Sequence, residues 1–442
     1  MNRQFLTAAL LVSAATASIA TAQQRPPIRQ LGATTAKSAE QFTMVTNIRA
    51  LSNGAVLVNE PGARRVLLFD PQLSKFTVVA DSTSATANAY GVRPGSLIAY
   101  RGDSSIFVDP NSVSMLIIDP AGKVSRVVAI PRAEDANTMG SLVGNTAYDG
   151  KGNLIYRSGF RFGGPGQQRI ITGGGAGGAA RIPQIPEPPD SAFVVRVNLA
   201  TRKLDTLGVI KTPKIKMEVK TDENGGFSMT SLVNPLPVID EWVMTSDGAI
   251  AFVRGRDYHV DWVNPDGTKV SSAKIPFEWQ RLTDEDKVAF IDSVKAARER
   301  QGNLGAVNVT GPLGGGGGGP NISINVNPGG GPGAREGATR TIAQAAQAQF
   351  NFIPPNELPD YKPPFFAGAV RADMEGNVWV RTIPTAAIAG GPVYDVINRK
   401  GELVERVQIP VGRTIAGFGP NGAVYLVNRE GTTATLEKAS VR

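Results

Sequence analysis

Three arginines recur at one place in a repeated pattern: Tyr156-Arg157, Val253-Arg254 and Val380-Arg381 each close an apolar run. Three further repeats carry Asn59, Asp109 and Asn428 at the corresponding place. A guanidinium is a planar fork of N–H donors that matches a carboxylate or phosphate, so several of them at one mouth would hold an anion. Arg256, Asp257 and Tyr258 lie just beyond Arg254 and complete this candidate ligand-binding set. The competing reading pairs each arginine with a neighbouring carboxylate on a solvated face.

Other chemistries are excluded by arithmetic. The chain has no Cys, so disulfides, thiol nucleophiles and thiolate metal sites are absent. Its one histidine, His259, sits in Asp257-Tyr258-His259-Val260-Asp261, and no mechanism needing two imidazoles is open to it. Gly-x-Ser-x-Gly and the Asp-x-Asp-x-Asp-Gly calcium loop do not occur, and Thr221-Asp222-Glu223-Asn224-Gly225 reads as a turn. Gly314 to Gly319 runs into Pro320 with no Gly-Lys-Ser/Thr, which argues against a phosphate cradle. Arg101-Gly102-Asp103 spells an adhesion tripeptide but falls on a hairpin turn. No catalytic residue, metal or cofactor is assigned from the residues themselves.

What must position the arginines is a repeat of one supersecondary unit. A turn followed by an apolar strand appears at Asn53-Gly54 to Val58, Gly102-Asp103 to Val108 and Gly152-Asn153 to Tyr156. It returns at Asp247-Gly248 to Val253, Glu375-Gly376 to Val380 and Asn421-Gly422 to Val427. A further strand ending in Asp70, Asp119, Asn198, Asn264 or Asn398 follows the first five copies. Asn-Gly and Asp-Gly between apolar runs supply the positive φ angles of tight antiparallel hairpins. Six copies of a four-stranded antiparallel unit predict an all-β, six-bladed β-propeller rather than a β-sandwich. The blades are expected at about 40–80, 90–131, 141–211, 238–276, 363–410 and 411–442, within a single unit spanning 23–442. The sixth lacks a strand, and Gln30 to Ala36 or Gln41 to Thr46 is expected to supply it, because an open ring would leave bare strand edges.

Two segments interrupt the pattern, 163–189 and 303–360, and their Gly/Pro-rich stretches predict flexible insertions. Between blades four and five a short helix is expected over 283–301. Thr283 and Asp286 form a capping box, Val288, Ile291 and Val294 an apolar stripe, and Gly302 a stop.

Residues 1–22 read as a secretory signal: Arg3, an uncharged stretch from Leu6 to Ala20, then Ala20-Thr21-Ala22 before Gln23. No later segment is long and apolar enough to span a membrane, so the mature chain is expected to carry no transmembrane segment and to be periplasmic or secreted, in a bacterium. The formal net charge of +8 falls to +7 without Arg3. The basic residues are scattered, which argues against nucleic acid; a monomer is expected, with a small anionic ligand, a glycan or an envelope protein as its partner.

The signature Asp247-Gly248-Ala249-Ile250-Ala251-Phe252-Val253-Arg254, followed by Val263-Asn264-Pro265-Asp266-Gly267, resembles the exported bacterial six-bladed propellers of the TolB-like and NHL-like superfamily. The likeness covers roughly 40–275 and 363–442. It implies the fold, and relatives that include binding and scaffold proteins as well as sugar-lactone hydrolases and lyases. The metal and histidine constellations of those enzymes find no matching positions, so no catalytic residue is carried over. The favoured expectation is therefore a non-enzymatic propeller that binds an anionic ligand or a protein through one face. The alternative is a gluconolactonase-like hydrolase or lyase using a carboxylate-bound divalent cation.

Overall fold

A computed structural model of the chain describes residues 25–83, 88–140, 145–159, 189–214, 216–221, 227–302, 351–385 and 389–441. The expected secretory signal and most of both glycine-rich insertions lie outside the described residues.

Six sheets of four antiparallel strands follow in chain order, and that of blade five gains a fifth, parallel edge strand, Ile28–Gln30. Blade one is Asn47–Ala50, Val56–Glu60, Arg65–Phe69 and Phe76–Ala80, and blade two is Ser96–Ala99, Ser105–Asp109, Ser114–Ile118 and Val124–Ala129. Blade three is Ala147–Tyr148, Asn153–Arg157, Ser191–Asn198 and Leu204–Lys211. Blade four is Asp240–Met244, Ile250–Arg254, His259–Val263 and Lys269–Ser271. Blade five is Phe365–Ala372, Val378–Thr382, Val393–Ile397 and Leu403–Gln408. Blade six takes Arg413–Phe418, Ala423–Glu430 and Thr433–Ser440, and its fourth strand is Ala36–Lys37, antiparallel to Thr433–Ser440. An isolated bridge from Phe42 to Ala434 continues that pairing.

The ring follows from side-chain alternation. Successive strand residues point to opposite faces, and here each face meets a different neighbour. Val56 and Val58 pack against Ala423 and Tyr425 of blade six, whereas Leu57 packs against Leu97 and Phe107 of blade two. One apolar cluster fills each of the six seams, the last joining blade six to blade one. Strands buried on both faces read as unbroken apolar runs, as Ala249 to Val253 does. The first strands of adjacent blades touch one another around the axis, while the fourth strands face outward, Phe76–Ala80 and Val124–Ala129 being largely exposed. The hairpins are built as their sequences dictate: Asn421 and Gly422 both hold positive φ, 59° and 68°, as a mirror-type turn requires.

A further layer packs against blade five. The connections from blade three to four and from blade four to five each leave an outer strand and return to the start of an inner one. They supply a small sheet, Lys216–Thr221, Phe227–Val233 and Asn351–Phe352, and a helix, Asp284–Gly302. Leu232, Leu236, Leu282, Ile291, Ile353 and Leu358 close over Ile383 of blade five. The helix begins at a reciprocal cap, the Asp286 amide donating to Thr283 Oγ1 at 3.2 Å and the Thr283 amide to Asp286 Oδ2 at 2.9 Å. Its buried face differs from the expected stripe in one member. Ile291 and Val294 are buried, but Val288 is 46% exposed and Lys287 lies inside, its Nζ 2.8 Å from Asp360 Oδ1. Lys287 stands four residues before Ile291 and so shares its face. Thr283→Ala is expected to cost about 1 kcal/mol, read as a lowered unfolding midpoint. A second short helix, Ala136–Met139, packs at blade three and was not anticipated.

Candidate active site

The six second-strand positions share one end of the ring, since each stands opposite the start or entry of its first strand: Asn59 faces Asn47, Arg254 faces Asp240 and Asn428 faces Arg413. They do not form one cluster. Asn59 is fully buried, donating to Gly95 O at 2.9 Å and accepting from Tyr90 Oη at 3.1 Å. Burial pushes the Tyr90 phenol up to about 12. Asp109 accepts from the Asn111 and Ser112 amides and caps its own turn. Asn428 donates to Glu430 and Glu437.

Arg254 follows the competing reading. It spans Asp261 Oδ2 at 2.7 Å, Asp240 Oδ2 at 2.8 Å and the Val209 carbonyl at 2.8 Å. Arg254→Ala is therefore expected to act on stability, about 1.5–3 kcal/mol for a charge-assisted bond of this kind, measured by chemical denaturation, with ligand affinity changed little. Tyr258 is wholly buried at φ 48°, its hydroxyl donating to Asp395 Oδ2 at 3.0 Å. Asp257 holds His259 Nδ1 at 2.7 Å, and Arg256 is exposed. Arg381 and Arg157 are half-buried, and neither side chain makes a hydrogen bond or ion pair among the described residues.

Arg157 has a different neighbour, one that the repeat itself encodes. Each first strand ends in a hairpin closed by an amide-to-carbonyl bond: Leu51 to Ala55, Tyr100 to Ser104, Asp149 to Asn153 and Thr245 to Ala249. Four residues before each of these amides stand Asn47, Ser96, Asn145 and Glu241. The same column in blades five and six holds Ala369 and Ile415. Four successive blades thus present polar side chains at one level of the innermost strands. Counting seven residues back from the hairpin glycines Gly54, Gly152 and Gly248 finds Asn47, Asn145 and Glu241 in the sequence, whereas in blade two Gly102 stands one place earlier in its turn and Ser96 is six back; the second strands, aligned instead, do not contain the column.

These side chains also tie blade to blade. Asn47 Nδ2 donates to Leu97 O at 2.7 Å, and Asn145 Nδ2 to Trp242 O at 2.5 Å. Arg371, in the first strand of blade five, donates through Nε to Ile415 O at 3.2 Å. Glu241 differs in being an acid. Its Oε1 accepts from the Gly368 amide at 2.7 Å, and only 8% of the residue is exposed. Gly368 can offer that amide because the first strand of blade five is bulged between Phe365 and Val370, with Gly368 at φ 75°. Burial dominates the acidity of Glu241 and raises its proton affinity above the ordinary carboxyl range. The Gly368 amide and the charges of Arg157 and Arg371 pull it partly back, and Asp240 adds to the rise.

The site therefore holds one buried acid on which the positive charges of Arg157 and Arg371 act, in a column that carries neutral amides and a hydroxyl in blades one to three. A divalent cation does not fit it. Among the described residues no three His, Cys, Asp or Glu groups converge, and two cationic neighbours disfavour a third. The carboxylate-bound cation of the alternative expectation has no ligand set there. What the arrangement can do is move a proton and hold an anion.

The class these features define is a six-bladed β-propeller with a small sheet and a helix packed against blade five. No protein-family model and no curated protein matches the sequence. Solved structures do. A gluconolactonase from Xanthomonas campestris is 9% identical over 95% of this chain and 98% of its own, with a TM-score of 0.38. Virginiamycin B lyase from Staphylococcus aureus is 10% identical over 92% and 98%, TM-score 0.38. TolB from Acinetobacter baumannii is 9% identical over 87% and 63%, TM-score 0.32. The expectation of a non-enzymatic binding propeller is corrected: the solved neighbours include a gluconolactonase, a lyase and a luciferin-regenerating enzyme. In physical terms that expectation overlooked Glu241, a buried acid where a passive binding surface has no use for one.

Proposed function

We propose that the protein is a hydrolase whose proton-transfer group is Glu241, acting on a substrate that reaches the innermost strands. The observation that supports this reading is the placement of one buried carboxyl on the innermost strands, aimed by the Gly368 amide, with burial raising its proton affinity. A general acid works best when its proton affinity lies near the working pH, and burial moves Glu241 in that direction. In the step this implies, water forms a bond to the acyl carbon of an ester or lactone. The bond from that carbon to the leaving oxygen breaks, and Glu241 gives its proton to the departing oxygen. The proton lost by the attacking water returns to the carboxylate, restoring the acid. Asn47, Ser96 and Asn145 supply neutral polar contacts at the same level.

The test is acid release from a panel of aryl esters and sugar lactones, followed with a pH indicator for the wild type and for Glu241→Gln. Turnover of one panel member that the variant loses supports the reading. Equal turnover by both proteins sinks it. The secretory pattern of residues 1–22 and the blade signature support an exported member of the TolB-like and NHL-like propellers, working in the periplasm or outside the cell. A mature N-terminus at Gln23 is the expected result of sequencing the exported protein.

A further inference from the structure

We propose that the substrate is an acidic carbohydrate, its carboxylates held by Arg157 and Arg371 and its sugar rings stacked on an aromatic ribbon that leads into blade five. The inference rests on the reading of Glu241 as the reacting acid and names what that acid works on.

Two independent observations carry it. The first is guanidinium charge without a carboxylate partner among the described residues. Arg371 lies three residues beyond Gly368, whose amide holds Glu241, and Arg157 closes the second strand of blade three, whose preceding segment reaches blade four through Asn145 Nδ2 and the Trp242 carbonyl, next to Glu241. Arg157 makes no side-chain bond among the described residues, and Arg371 commits only Nε, to a neutral carbonyl. Arg254, by contrast, is saturated by Asp240 and Asp261. Guanidiniums kept free of internal carboxylates beside a proton donor are arranged for an anion that arrives from outside.

The second observation is the ribbon leading into blade five. Arg281 bridges antiparallel to Tyr361, with Leu282 N donating to Asp360 O at 2.8 Å and Lys362 N to Gln280 O at 2.9 Å. Alternation puts Trp279, Arg281 and Tyr361 on one face, diagonal neighbours across the pair. The opposite face is used internally: Lys362 Nζ donates to Gln280 Oε1 at 3.1 Å, and Leu282 is buried. Trp279 is 39% and Tyr361 49% exposed, so an indole and a phenol ring stand open to solvent beside a guanidinium. Phe277 packs edge-on against both Trp279 and Tyr258, fixing the ribbon to the propeller. From Tyr361 the chain runs directly into the first strand of blade five, where Gly368 holds Glu241. Flat apolar rings with a cation between them suit a sugar polymer bearing carboxylates: ring faces take the C–H surfaces, and the guanidinium takes the charge.

The test uses oligogalacturonate, its fully methyl-esterified form and neutral galacto-oligosaccharide as probes, with binding by calorimetry and turnover measured together. The wild type is expected to bind the acid form at least about ten-fold more tightly than either uncharged probe. Arg157→Ala and Arg371→Ala should each remove about ten-fold of that preference while leaving binding of the ester unchanged. Trp279→Ala should weaken the oligomer and spare galacturonate monomer. Glu241→Gln should bind the acid oligomer, which has no ester to cleave, as the wild type does, and fail to hydrolyse a partly methyl-esterified oligomer. Equal affinity for acid and ester, or no binding of the acid form by the folded wild type, overturns the proposal. So does an unchanged preference in both arginine variants. If Glu241→Gln keeps turnover while the affinity order holds, the acid–base reading fails and the ligand class stands.

Discussion

Exchanging Glu241 for Gln is expected to remove turnover and, in the same protein, to raise stability at neutral and alkaline pH. The amide is isosteric and keeps an oxygen for the Gly368 N–H, but it has no proton to give. General acid–base groups contribute about 10²–10⁴ in rate, and that is the loss expected in kcat. The stability effect has the opposite sign. Because burial raises the proton affinity of Glu241 in the folded state, its neutral form stabilises the fold below the ordinary carboxyl range. That contribution disappears as pH rises through the elevated value. Wild-type stability should therefore decline across the window just above the usual carboxylate titration, where the Gln variant should be flatter and more stable by about 0.5–2 kcal/mol. Asp395 is also buried with raised proton affinity, but it titrates in both proteins, so the difference between the two melting curves isolates Glu241. Turnover itself should fall as pH rises through the same value. Parallel pH–stability curves for the two proteins would show that the carboxyl is not held protonated and would remove the reason for choosing it as the acid.

The architecture was legible because a propeller writes itself into sequence period. Asn53-Gly54, Asp247-Gly248 and Asn421-Gly422 need turn geometry that few dipeptides tolerate, and Ala249 to Val253 is apolar throughout because both faces of the strand meet a neighbouring blade. The capping box at Thr283 was readable for a similar local reason. The site was harder to see because it is a column across blades, set by register. Asn47, Ser96, Asn145 and Glu241 are separated by about 50 to 100 residues, and nothing in any one strand marks them. The arginine ring failed as a unit on the same ground. Arg157 stands four residues after its hairpin carbonyl at Asn153 and Arg254 five after Ala249, so the two point to opposite faces of their strands. In blade four Asp240 meets Arg254, whereas Arg157 makes no side-chain bond among the described residues and its charge acts on Glu241 of the next blade. Val288 misled because three apolar residues were counted without asking which face would find a partner for a lysine. Asp360, 73 residues beyond Lys287, supplied one.

Deleting residues 25–40 should open the ring. The segment crosses three blades: Arg25 meets Glu278 after blade four, Ile28–Gln30 lies parallel to Leu403–Gln408 at the edge of blade five, and Ala36–Lys37 completes blade six. Its amides at Leu31, Gly32, Thr35 and Ser38 donate to Gln408, Ser440, Lys438 and Leu436. At about 1 kcal/mol net for each such bond, their removal costs about 4 kcal/mol before any loss of packing. The strand Thr433–Ser440 would then present a bare edge, a template for pairing between molecules. The truncated protein should accordingly unfold at lower denaturant and migrate as larger species on size exclusion. Phe42→Ala tests the same seam with the segment in place. Phe42 is 1% exposed and its ring lies 5.9 Å from that of Phe69 in blade one, so truncation should cost about 3–5 kcal/mol. A deletion that unfolds at the full-length midpoint would mean that blade six stands without its borrowed strand, and closure would then rest on the apolar contact of Ala416 and Tyr425 with blade one alone.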